Sequence, residues 1–206
     1  MTRRALLLAG VLAAGCGSVA PVPPDVFIRL DVPPPAAPVR SPWTGGVIRV
    51  APLVASGLHK ERALAITRDA GQSLAQAHHQ LWIDPPERML QHELARYLRA
   101  AAVASSIGTG PAVDTALAVS GRILRFEQEI EPGAMKMRVH LELSASARGK
   151  RGILTREYAA SAPLDDATAG AAARAMNRAV GDVFAAFVRD AGSAFPGPET
   201  AGKPAP

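Results

Sequence analysis

The stretch MKMRVHLELSAS, residues 135–146, alternates without a break: Met135, Met137, Val139, Leu141, Leu143 and Ala145 on one side, Lys136, Arg138, His140, Glu142, Ser144 and Ser146 on the other. A period of two with one apolar and one polar side predicts a strand with one face buried and one wet. Downstream, Arg148-Gly149-Lys150-Arg151-Gly152 is a charged, glycine-bearing connection to Ile153–Ser161, so a long hairpin is expected. Upstream the same period holds from Leu117 through Val119, Gly121 and Ile123, and the strand ends in an acidic run, Glu127, Glu129 and Glu131. With no second cluster in the sequence to pair with, these glutamates read as a solvated rim.

Working outward, the period changes. Leu90, Leu94, Tyr97, Leu98 and Ala101 fall at helical spacing after Asp84-Pro85-Pro86, predicting an amphipathic helix over 85–102 with Asp84 as its cap. Met176, Val180, Val183, Phe184, Phe187 and Val188 mark a second helix, capped near Asp165-Asp166 and stopped by Gly192. Before the first helix, residues 47–54, 63–68 and 73–83 read as three strands of a meander, with Gly108–Pro111 as a turn beyond it. The expected fold is α+β, a mostly antiparallel sheet with two amphipathic helices packed on one face.

The 206 residues hold one ordinary domain plus tails. Aromatic residues make up only 4 % of the chain, so the core must be built from Leu, Val, Ala and Met. A single cysteine, Cys16, excludes an intramolecular disulfide framework and a cysteine zinc cage. Arg3 and Arg4 precede an uncharged run from Ala5 to Ala14, ten residues long. That is the pattern of an export signal and far short of the roughly 20 apolar residues that span a bilayer. Leu12-Ala13-Ala14-Gly15-Cys16 resembles the bacterial lipobox, in which the cysteine thiol is diacylated (palmitate is a typical chain) and cleavage occurs on its amino side. Acyl chains contribute about 0.8 kcal/mol per buried methylene, so two or three of them anchor the protein stably. Gly17 follows, where enterobacterial proteins retained in the inner membrane carry Asp, so the expected address is the periplasmic face of the outer membrane.

Cleavage removes Arg3 and Arg4 and reduces the charge from +5 to 21 Lys plus Arg against 18 Asp plus Glu. Charge and compartment together argue against nucleic acid as a partner. Eight prolines between Gly17 and Gly46 favour extended backbone. The expected organisation is a signal peptide over 1–15 and a tether over 16–46 with a short edge strand near 26–30. The domain follows over 47–193, with a proline-rich disordered tail over 194–206. A tether of about 30 residues would reach roughly 100 Å when fully extended.

Chemistry-bearing motifs are sparse. His59, His78, His79, His92 and His140 offer imidazoles, but the adjacent pair His78-His79 points to opposite faces of a strand and cannot easily share an ion, so no metal site is expected. The sequence lacks a nucleophile elbow, an H-E-x-x-H helix and a phosphate loop, and neither catalytic residues nor a cofactor are expected. Arg148, Lys150 and Arg151 at the hairpin tip are candidate contacts to a partner or to anionic headgroups. Trp82, just before the helix, is expected to plug the core.

The lipobox, the V-F-I-R-L strand, the strand Val47–Val54, the element L-W-I-D-P-P-E-R-M-L-Q-H-E-L, the strand pair around Val119 and Val139, and the closing helix together resemble the ABC-type transport auxiliary lipoproteins. These are partners of MCE-type lipid transport systems in Gram-negative bacteria. The chain departs from the family at Ala51-Pro52-Leu53-Val54-Ala55, where a tyrosine is often found. The resemblance implies a non-enzymatic protein acting at the outer-membrane end of such a system. Its implied partners are an MCE-domain protein with its inner-membrane permease and ATPase, and it leaves self-association as a homo-oligomer open. The alternative is an envelope-assembly or peptidoglycan-associated lipoprotein that chaperones or activates an outer-membrane or cell-wall partner.

Overall fold

The alternation that marks residues 135–146 builds the middle of the sheet. In the computed structural model, which describes residues 23–111, 114–149 and 152–197, β7 (Ala134–Ala147) lies between β6 (Thr115–Glu131) and β8 (Ile153–Pro163), antiparallel to both. Met137, Val139, Leu141, Leu143 and Ala145 are fully buried, as the period requires. The other edge of β6 is shared. Its first half pairs with β2 (Thr44–Val50) and its second half with β3 (Ala63–Arg68). Beyond β2 lies β5 (Ala104–Gly108); beyond β3 lie β4 (Ser73–Trp82) and then β1 (Val26–Ile28).

The eight-stranded sheet is mixed, which corrects the expectation of a mostly antiparallel one. Among the described residues β1·β4, β2·β5, β2·β6 and β3·β6 are parallel, and only β3·β4, β6·β7 and β7·β8 are antiparallel. The predicted three-strand meander is reduced to the β3–β4 hairpin, because β2 pairs with β5 and β6 instead. Residues 104–108, expected to fall between elements, form a strand whose polar serines hide its period.

The helices α1 (Pro86–Ala100) and α2 (Ala169–Ala194) touch through Tyr97 and Phe184, whose rings meet edge to face at 5.6 Å. Leu90, Leu94 and Leu98 of α1 are fully buried, and Gln91 Nε2 donates to the Val50 carbonyl at 2.9 Å, tying the helix to β2. Phe187 of α2 receives Tyr158 of β8 and Trp43 edge to face, each at 5.9 Å. Trp82 is 1 % exposed and stacks at a tilt on Phe126, the core plug its position predicts. The caps differ from expectation. Pro85, not Asp84, stands at the start of α1, and Thr168, not Asp165 or Asp166, caps α2 through its hydroxyl, which accepts from the Ala171 amide. Asp166 instead accepts from Thr168 and holds the cap in place.

The borders of the core also move. Ile28, Leu30, Val32 and Trp43 are buried, so much of the segment read as tether is part of the domain. At the other end α2 runs through Gly192 to Ala194, and Phe195 is buried in the core rather than lying in a tail. Gly192 has an ordinary φ and cannot act as a left-handed stop.

Candidate functional site

Cys16 and the lipobox residues Leu12, Ala13, Ala14 and Gly15 lie outside the described residues, as do Lys150 and Arg151. Arg148 closes β7. Its backbone amide donates to the Ala116 carbonyl, and its guanidinium stands 3.3 Å from the Asp114 carboxylate. Both side chains are mostly in water, so solvent screens the pair and leaves the guanidinium free to exchange partners.

The polar cluster the sequence reading set aside proves to be the most organised one. Glu127 and Glu129 are not a solvated rim; they are 2 % and 4 % exposed. A bulge at Leu124 explains this: Ile123 pairs with Leu141 but Arg125 with His140, so β6 shifts phase by one residue. Phe126 and Gln128 thereafter share the core side with Val139 and Met137, while Glu127 and Glu129 turn to the opposite face, beside Arg138 and Lys136. The short 3-10 turn Gly57–Lys60 packs against this part of β6 and brings His59 Nε2 to 3.4 Å from Glu127. Glu129 accepts two hydrogen bonds from Arg138 Nη1, at 2.9 and 3.2 Å, and lies 3.4 Å from the Lys136 ammonium.

Burial alone would raise the Glu129 pKa, but Arg138 and Lys136, by charge and hydrogen bonding together, outweigh it and hold the carboxyl below its ordinary value. Burial lowers the His59 pKa and dominates over the Glu127 charge, so the imidazole favours its neutral form. Across the sheet, Tyr158 donates to Asp190, and burial together with that carboxylate pushes its pKa up to about 12. Each carboxylate of the β6 cluster has a cation or imidazole against it, an arrangement that neutralises buried charge and ties β6 to β7 and to the Gly57–Lys60 turn. The remaining histidines are scattered: His79 pairs with Asp25 and His140 with Glu157, and among the described residues no group of three metal-ligating side chains converges. Sequence reasoning missed the cluster because its signal is indirect: the apolar phase of β6 breaks at Leu124-Arg125-Phe126.

A mixed sheet forked along one long strand, with two helices and a paired internal charge cluster, defines an α+β domain of the kind seen in two solved structures. Protein XCC0632 from Xanthomonas campestris, of the family DUF330, superposes with a TM-score of 0.67 at 16 % identity, covering 79 % of this chain and 92 % of that one. An uncharacterized protein superposes with a TM-score of 0.64 at 11 % identity, covering 82 % and 99 %. Both likenesses are of fold. The sequence matches the family described as the ABC-type transport auxiliary lipoprotein component over residues 29–187, and the chain belongs to that family. No curated protein matches it. Membership gives the coarse role, an auxiliary lipoprotein associated with an ABC-type transport system and anchored in the cell envelope. Among the described residues no helix is long and apolar enough to cross a membrane.

Proposed function

We propose that the protein is tethered to the periplasmic face of the outer membrane through acyl chains on Cys16 and serves an MCE-type lipid transport system by binding rather than by turnover. The observation that carries this reading is the family match, which runs from Arg29, just after β1, to Phe187 in α2. The lipobox supports the anchor, and the ion-paired state of the buried carboxylates supports a role without chemistry.

The fold revises the reach. Because Ile28 is already in the core, only eleven residues lie between it and Cys16, a span of at most about 43 Å instead of roughly 100 Å. The domain then works close to the membrane that anchors it, and the partner must come to that membrane.

Photo-crosslinkers placed at exposed positions such as Phe27 and Ile153 in living cells test this. Adducts with an MCE-domain protein are expected, and deleting this gene should give the same envelope defect as deleting that partner, with no additive effect in the double deletion. Adducts with a β-barrel or a cell-wall synthase, or additive defects, would overturn the reading in favour of an assembly lipoprotein.

A further inference from the structure

At the end of the sheet where β7 gives way to the hairpin connection, a cavity of about 380 Å³ opens between β6, β7 and the last turn of α2. Its volume falls within the roughly 300–1,000 Å³ of small-molecule sites. Trp43, Leu117, Ala147, Phe195 and Pro196 give one part of it hydrocarbon walls, and a nearly equal part is polar, with Thr44 and Arg148 among the lining residues. Trp43, Leu117 and Phe195 are buried members of the core, so this wall is fixed by packing.

Two polar side chains belong to the lining. The first is the Arg148 guanidinium, whose recorded partner is the water-exposed Asp114. The second is Thr44, whose hydroxyl accepts from the Gly46 amide at 3.1 Å.

We propose that this cavity binds a single-chain amphiphile with an anionic head, the hydrocarbon occupying the space walled by Leu117, Ala147 and Phe195 and the head held by Arg148. The hydrocarbon part of the lining suits an alkyl chain and offers a free inorganic anion no hydrogen bonds to replace its hydration. The planar guanidinium suits a carboxylate or phosphate oxygen pair, and the charge-assisted bonds it forms are about twice as strong as neutral ones. The site stands on geometry alone and does not depend on which transport system the protein serves.

The test uses the full chain purified from membranes and reconstituted in phosphatidylcholine nanodiscs. It is photolysed with a long-chain fatty acid bearing a diazirine on its tail, and the adducts are mapped by peptide mass spectrometry. Working with purified protein keeps the probe out of the acyl chains at Cys16. Adducts are expected on peptides carrying Trp43, Leu117, Ala147 or Phe195. Arg148→Glu and the cavity-filling Ala147→Phe should each lower labelling about tenfold, and Arg148→Lys should retain most of it. Ala194→Phe fills the same cavity from the exposed end of α2 and replaces Ala147→Phe should that variant melt early. Labelling that is absent, maps elsewhere or is unchanged in the filling variants overturns the site. Labelling lost on filling but unchanged in Arg148→Glu overturns the anionic head.

Discussion

Gly121→Ala adds one methyl group to the middle of β6 and should destabilise the domain measurably. The new Cβ would stand 2.5 Å from the Glu142 carbonyl oxygen and 2.7 Å from Leu143 Cδ2. Leu143 is fully buried, and the carbonyl belongs to the backbone of the neighbouring strand, so neither neighbour yields cheaply. Nor can β6 retreat: the Gly121 carbonyl accepts the Val54 amide at 3.0 Å on its far side, and Arg122 and Ile123 stay in register with Glu142 and Leu141. Overpacking of this kind costs about 1–3 kcal/mol. The loss of glycine's freedom in the unfolded chain offsets about 0.4–1 kcal/mol of it. The net, about 1.3 kcal/mol at the middle of both ranges and at most about 2.6 kcal/mol, corresponds at that middle value to a fall in Tm of roughly 3–5 °C for a domain of this size. Thermal unfolding of a chain starting at Pro23, followed by circular dichroism, measures it. An unchanged or higher Tm would refute the close approach of β6 and β7 at this position.

Leu94→Ala removes a fully buried side chain from α1 and should lower Tm by roughly 5–15 °C, reflecting about 2–5 kcal/mol; an unchanged melt would show that the helix presents another face. Glu129→Gln should cost about 1–3 kcal/mol in urea unfolding at neutral pH, between the worth of an exposed and a buried pair because Arg138 is partly solvated. Since the folded Glu129 pKa lies below its unfolded value, its contribution is complete above that value, near 4.5, and is lost as pH falls through the lowered one. The Gln variant should therefore show a flatter acid limb, and an equally steep one would refute the assignment. His59 acts in the same direction from about pH 6.5 downward, because burial lowers its folded pKa and the unfolded chain takes up the proton first. Cys16→Ser should leave uncleaved precursor without acyl label; normal palmitate incorporation in that variant would refute the lipobox reading.

What the sequence made legible was whatever is local in period. The face of β7, the stripe of α1 through Leu90, Leu94 and Leu98, and the stripe of α2 through Val180, Phe184 and Phe187 follow from side-chain direction within one element, and all are buried. Pairing is not local. The residues of β2 read alike whether the strand joins β3 in a hairpin or lies parallel to β6, since both place Ile48 and Val50 in a core. The fork arises because seventeen residues of β6 are long enough to carry two partners end to end along one edge, and only the assembled sheet shows that. Polyproline-like composition misled for a related reason. Leu30, Val32 and Trp43 sit among prolines that rule out helix and central strand but leave extended chain free to drape its apolar side chains into the core.

The charge cluster shows why a pattern can be visible and still be misread. Three alternating glutamates on one strand have the composition of a wet face, and burying a carboxylate costs so much that solvent is the default reading. The cost is met by partners outside the run of β6 itself: Arg138 and Lys136 come from across the tight β6–β7 turn, and His59 from a segment almost seventy residues upstream of Glu127. The same logic governs the cavity beside Arg148. Trp43 reaches it from the proline-rich entrance of the domain, Leu117 and Ala147 from paired strands, and Phe195 from beyond the helix, so no window of sequence contains it. In this protein the groups able to bind something are assembled at the margins of the domain. The two core-lining segments that sequence composition assigns to tether and tail, Trp43 and Phe195, supply walls of the cavity beside Arg148.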